Sequence, residues 1–186
     1  MYEGKKVRLR RLEPDDANPI LVYWNQYELR QYLPTPLPTS HDDMLQYIES
    51  ANEAFSKRTK FTFGIETKED SILIGIIDLT NISWISRNGE IGVFALFHPD
   101  YRGKGYGRDA LVVLLDMAFS VLNLHTVYLW VASFNEHAIG FYERVGFKTQ
   151  GKLRELAFRD GQHYDVTIMD ILKSEFLEKY GVLPKK

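Results

Sequence analysis

The sequence predicts one globular domain of mixed α/β class over residues 1–186, with a mostly antiparallel sheet flanked by helices. Three observations predict it. The 186 residues are 45% hydrophobic, which is enough for one substantial core. Three short apolar segments between 61 and 97, separated by turn residues, read as an antiparallel meander. A strand-helix-strand order then follows, and such a unit makes a right-handed parallel crossover.

The elements follow in chain order. Val7 to Leu12 alternates apolar and basic residues, as a short strand does. Glu13-Pro14-Asp15-Asp16 turns the chain into a helix whose positive end favours the acids, with Pro19 in its early part. Pro34, Pro36 and Pro38 mark an irregular stretch. Thr39-Ser40 caps a helix over 41–57, with Met44, Leu45, Ile48, Ala51 and Phe55 on its apolar positions. Phe61 to Glu66, Leu73 to Asn81 and Glu90 to Phe97 are the meander strands, with turns at Asp70-Ser71 and Arg87-Asn88-Gly89. Gly105 to Leu122 is a helix with one broad apolar face, and Val127 to Val131 is a strand. His137 to Val145 is a short helix stopped by Gly146. Strands at 148–158 and 163–171 join at Asp160-Gly161, and a last helix ends near Tyr180.

Composition excludes several classes of function. The 23 basic and 25 acidic residues leave a formal charge of -2, without the basic excess of a general nucleic-acid binder. With no Cys, disulfides, thiolate metal sites and a Cys nucleophile are ruled out. No two of the five His sit at the three- or four-residue spacing of a helical metal pair, so no metal is expected. The charged N-terminus has no apolar signal core, and no apolar run reaches membrane-spanning length. A cytoplasmic protein with no membrane partner is the expectation.

The chemistry concentrates first at Arg102-Gly103-Lys104-Gly105-Tyr106-Gly107, between a strand and a helix. A helix start exposes unpaired N–H groups and partial positive charge, and glycines let an anion approach the backbone. Arg102, Lys104 and Arg108 add formal charge. The pattern suggests a pyrophosphate ligand, and its bland alternative is a solvated glycine turn. No Gly-Lys-Ser/Thr tripeptide closes it, as a P-loop requires. Gly107 follows Gly105 by two residues rather than the Rossmann three.

This segment resembles the cofactor loop of the GNAT superfamily, the Gcn5-related N-acetyltransferases, with pattern Gln/Arg-x-x-Gly-x-Gly/Ala matched by Arg102, Gly105 and Gly107. Asn135, Ala138, Tyr142, Gly146 and Phe147 resemble its second acetyl-CoA motif, in the right order. Further likeness at Val7 to Arg10, Arg30 to Tyr32 and Asp160 to Tyr164 points to the branch holding ribosomal-protein alanine and spermidine acetyltransferases. The resemblance implies the GNAT fold with a splayed parallel strand pair, acetyl-CoA as co-substrate, and transfer of acetyl to a primary amine. It places the pantetheine arm against Ala95, Leu96 and Phe97, and the pyrophosphate against Arg102, Gly103, Lys104, Gly105, Tyr106, Gly107 and Arg108. It gives Asn135 a contact to the cofactor arm or a water, and Tyr142 a place near the thioester sulfur as general acid. Alternatively Tyr142 is a buried core residue. Glu90 is the candidate base, or else a solvated strand-end carboxylate.

The acceptor pocket is expected at the first helices and the final hairpin, with Trp24 and Tyr32 as candidate wall residues or ordinary helix packing. Polyamine recognition needs several carboxylates, and Leu33 to Thr39 holds none. A protein N-terminus or another small primary amine fits better. A homodimer is compatible with the superfamily. A non-catalytic acyl-CoA-binding or sensing domain, and a nucleotide-binding protein using the same loop, remain as the alternatives.

Overall fold

A computed structural model describes residues 2–33 and 37–181. Pro34, Thr35 and Pro36 of the proline-punctuated stretch lie outside the described residues. The strands are β1 (Tyr2–Glu3), β2 (Val7–Arg10), β3 (Phe61–Thr67), β4 (Leu73–Ser83), β5 (Asn88–Ile91), β6 (Phe94–Leu96), β7 (Thr126–Ala132), β8 (Lys148–Arg159) and β9 (Gln162–Leu172). The helices are α1 (Ala17–Trp24), α2 (Tyr27–Arg30), α3 (His41–Ser56), α4 (Tyr106–Asp116), α5 (Glu136–Val145) and α6 (Lys173–Tyr180). The chain forms two compact units, Met1–Asn81 with Gly92–Leu114, and Ile82–Ile91 with Leu115–Lys186.

In the first unit β1, β2, β3, β4 and β6 pair antiparallel in that order. The predicted meander is present. β3 and the first seven residues of β4 are buried along almost their whole length, as strands covered on both faces must be. Leu12, Ile20, Leu29, Met44 and Ile48 from the loop and helices α1 to α3 pack on Leu73, Ile76, Ala95 and Phe97 of the sheet. Helix α3 starts where the sequence says. The Ser40 hydroxyl accepts from Asp43 N–H at 3.1 Å, and Asp43 accepts from Ser40 N–H at 3.0 Å, a reciprocal cap.

The strand expected over 90–97 is broken into β5 and β6. The cause is Asp78 on β4, whose side chain is fully buried. Its Oδ1 accepts Gly92 N–H at 3.2 Å and Val93 N–H at 3.0 Å, and its own N–H donates to Val93 O at 2.8 Å. Lys60 Nζ lies 2.8 Å from its Oδ2. A side chain therefore replaces ladder bonds at 92–93, and the strand is interrupted there.

In the second unit the order is β5-β7-β9-β8. β5 and β7 are parallel from Asn88↔Thr126 to Ile91↔Leu129, while β7, β9 and β8 are antiparallel. The β8-β9 turn is Asp160-Gly161, both at positive φ. The predicted helix over 105–122 is continuous in extent, but Met117–Val121 is π-helical. That wider turn buries the consecutive Met117, Ala118 and Phe119. Phe119 meets Phe176 of α6, with ring centres 5.4 Å apart. No helix among the described residues is long and apolar enough to cross a membrane.

Candidate active site

The glycine-rich segment lies in the first unit. β6 ends at Leu96, a 3-10 turn covers Pro99–Tyr101, and the glycine loop leads into α4. Gly103 and Gly105 have φ of +70° and +86°, which side-chain-bearing residues rarely adopt. A Cβ built at either would meet nothing within 4 Å. The loop's outer surface is thus open to a ligand. Lys104 and Arg108 are exposed, and Tyr106 and Gly107 half-buried.

Arg102, exposed like Gly103 and Lys104, bonds the strand end. Its Nε donates to Leu96 O at 2.9 Å and its Nη2 to Phe97 O at 2.8 Å. The guanidinium holds the end of the strand to the loop. Ala95 and Phe97 are buried and Leu96 is half-buried. Tyr101 braces the same segment, its hydroxyl donating to Asp70 at 2.8 Å. That bond to a carboxylate pushes the Tyr101 phenol up to about 12. His98 packs between the rings of Tyr23 (5.0 Å) and Tyr101 (4.9 Å), as a loop-packing residue does. An open cleft of about 430 Å³ lies beside it, lined among others by Tyr23, Ile72 and His98.

The second motif and the candidate base lie in the second unit. Asn135 is the N-cap of α5, its Oδ1 accepting from Ala138 N–H at 3.1 Å. Tyr142 is 9% exposed and packs edge-on against Phe141 and Phe147, with ring centres 5.3 and 5.6 Å away. Burial pushes its phenol well above the ordinary tyrosine range. Glu90 stands opposite Tyr128 across the parallel pair. The Tyr128 phenol is raised by burial first, then by the Glu90 charge and a hydrogen bond to it. His163 packs on Phe158, and Asp165 accepts from Glu155 N–H, so both serve the hairpin.

Trp24 and Tyr32 belong to the first unit. Trp24 is half-buried against its core, and Tyr32 is 50% exposed. Between them, Arg30 is buried and donates to Asn25 Oδ1 at 3.0 Å, while Asn25 binds both Thr39 N–H and Thr39 O. The sequence reading missed Asp78 and Asp109. Asp109 accepts three N–H groups from Lys5, Lys6 and Val7, about a hundred residues away. Neither has a local signature: one reads as a stray strand acid and the other as an ordinary first-turn acid.

Comparison with known proteins adds independent findings. A family model described as Acetyltransferase (GNAT) domain matches residues 6–148. A spermidine N(1)-acetyltransferase of Vibrio cholerae is 32% identical over 95% of this chain and 98% of its own. A provisionally named ribosomal N-acetyltransferase of Bacillus subtilis is 31% identical over 93% of this chain and 94% of its own. A crystal structure of spermidine N-acetyltransferase from Vibrio cholerae in complex with CoA and spermine has a TM-score of 0.80 and 33% identity, covering 92% of this chain and 98% of that one.

Proposed function

The chain belongs to the GNAT acetyltransferases, and from that premise we propose that it transfers the acetyl group of acetyl-CoA to a primary amine of a small molecule. The observation that carries this reading is the open glycine loop at the start of α4, with Gly103 and Gly105 at positive φ and space before them. Those residues fit a pyrophosphate: backbone N–H groups bind it, and exposed Lys104 and Arg108 add charge. Arg102 holds Leu96 and Phe97 to the loop through Nε and Nη2 and adds its charge beside the phosphates. Ala95 to Phe97 offer backbone to the pantetheine arm.

Bound acetyl-CoA supplies the thioester whose acyl carbon the amine attacks. Tyr142, a buried and protonated phenol, is assigned as proton donor to the departing sulfur. Glu90 is assigned as proton acceptor for the amine. Asn135 spends Oδ1 on its helix cap, so its Nδ2 is the group assigned to the cofactor arm. Trp24 and Tyr32 are assigned to the acceptor pocket. A cytoplasmic location and a homodimer belong to the same reading.

A protein N-terminal amine is the second acceptor reading, favoured by the carboxylate-free Leu33 to Thr39 and the ribosomal relative. A panel of small amines, polyamines and peptide N-termini, with acetyl-CoA and thiol release as readout, tests both. Tyr142→Phe should lower kcat by about 100-fold while CoA affinity holds. No turnover with any amine, despite CoA binding, would leave a CoA-sensing domain instead.

A further inference from the structure

We infer that the β1-β2 hairpin is a positioning element for the cofactor loop, with Lys6 aiming the Gly105 N–H at the ligand and Asp109 fastening Lys6 in place. This rests on the cofactor reading above. The hairpin turn closes with Gly4 N–H on Val7 O at 2.8 Å. Asp109, in the first turn of α4, accepts from its backbone three times. Oδ1 takes Lys5 N–H at 3.0 Å, and Oδ2 takes Lys6 N–H at 2.6 Å and Val7 N–H at 3.0 Å. Hydrogen bonds to an ionised carboxylate are the strong kind, and three of them fix the turn on the helix.

The fastened Lys6 then reaches the loop. Its Nζ donates to Lys104 O at 2.9 Å and stands 4.9 Å from the centre of the Tyr106 ring. The consequence is stereochemical. A trans peptide is planar, and its C=O and N–H point in opposite directions. Lys104 O and Gly105 N–H belong to one peptide. Holding the oxygen toward Lys6 turns the Gly105 N–H away from Lys6, and Gly105 is itself exposed. Glycine at 105 leaves that peptide free to rotate, so an external hold sets its direction.

Gly4 makes the docking close. A Cβ there would lie 2.3 Å from Asp109 Oδ2 and 2.6 Å from its Cγ. Gly4→Ala therefore parts the Asp109 carboxylate from the hairpin turn without changing any charge. Lys6→Met removes the hold by a substitution at an exposed position, so folding is spared.

Calorimetric titration of CoA and steady-state kinetics test the inference. Both variants should raise the CoA Kd and the acetyl-CoA KM by about fivefold, the size expected for one misdirected donor, with kcat nearly unchanged. Lys6→Arg should restore affinity. Affinity within twofold of wild type in Lys6→Met overturns the inference. So does a loss in Lys6→Met that disappears in high salt while Gly4→Ala binds normally, because Lys6 would then act only as a charge. Wild-type protein that fails to bind CoA would refute the cofactor reading itself.

Discussion

At the scale of single residues, burial does chemical work. Tyr142 and Tyr47 are phenols that burial raises above the ordinary tyrosine value. Below about pH 10 they are protonated in both folded and unfolded chains and add no pH dependence. Above it the unfolded chain ionises while the folded one resists, so stability falls as pH rises. Urea unfolding between pH 8 and 11 should show a plateau and then a decline, shallower in Tyr142→Phe. A flat profile to pH 11 would contradict the burial argument. Asn135 caps α5 through Oδ1 and, on the function proposed above, offers Nδ2 to the cofactor arm. Asn135→Ala removes the cap and should cost about 1 kcal/mol. Asn135→Asp keeps an acceptor for Ala138 N–H and should hold stability, yet lose the Nδ2 donor and raise the acetyl-CoA KM. Equal KM in Asn135→Asp and wild type would confine Asn135 to capping.

Elements show what local patterns carry and what they cannot. Helix α3 was legible because its signals are adjacent in sequence: a Thr39-Ser40 cap and apolar residues on one face. The Asp160-Gly161 hairpin and the helix ending at Gly146 were legible for the same reason. The glycine loop was readable as a strand-to-helix turn from its glycines and its flanking strand and helix. The β5-β6 break was not, because its cause sits on another strand. Asp78 supplies acceptors that no pattern within 90–97 encodes. Likewise the roles of Arg102 and Asp109 depend on carbonyls and N–H groups brought in by the fold. Asp78→Ala should be strongly destabilising, by about 3–5 kcal/mol, since it leaves Lys60 and two N–H groups without their partner. Chemical denaturation with an unchanged m-value measures this. A loss under 1 kcal/mol would mean that water replaces the carboxylate at the break.

For the molecule as a whole, charge sets how each substrate is held. A chain of net charge -2 does not attract an anionic cofactor from a distance. On the function proposed above, its donor affinity comes from local groups, namely the loop N–H groups and the exposed Lys104 and Arg108. Exposed charges are screened over roughly 8–10 Å at physiological salt, whereas close backbone contacts are screened less. Raising salt from about 0.05 to 0.5 M should weaken CoA binding severalfold without abolishing it. The acceptor should behave differently. A polyamine is held by several carboxylates at once, and Leu33 to Thr39 brings none, so a small amine held by packing is expected. With donor saturating, the acceptor KM should then be nearly independent of salt. A steep rise would mean that acidic groups elsewhere grip a multivalent cation, and it would align this chain with its spermidine-acetylating relatives in substrate as well as in fold.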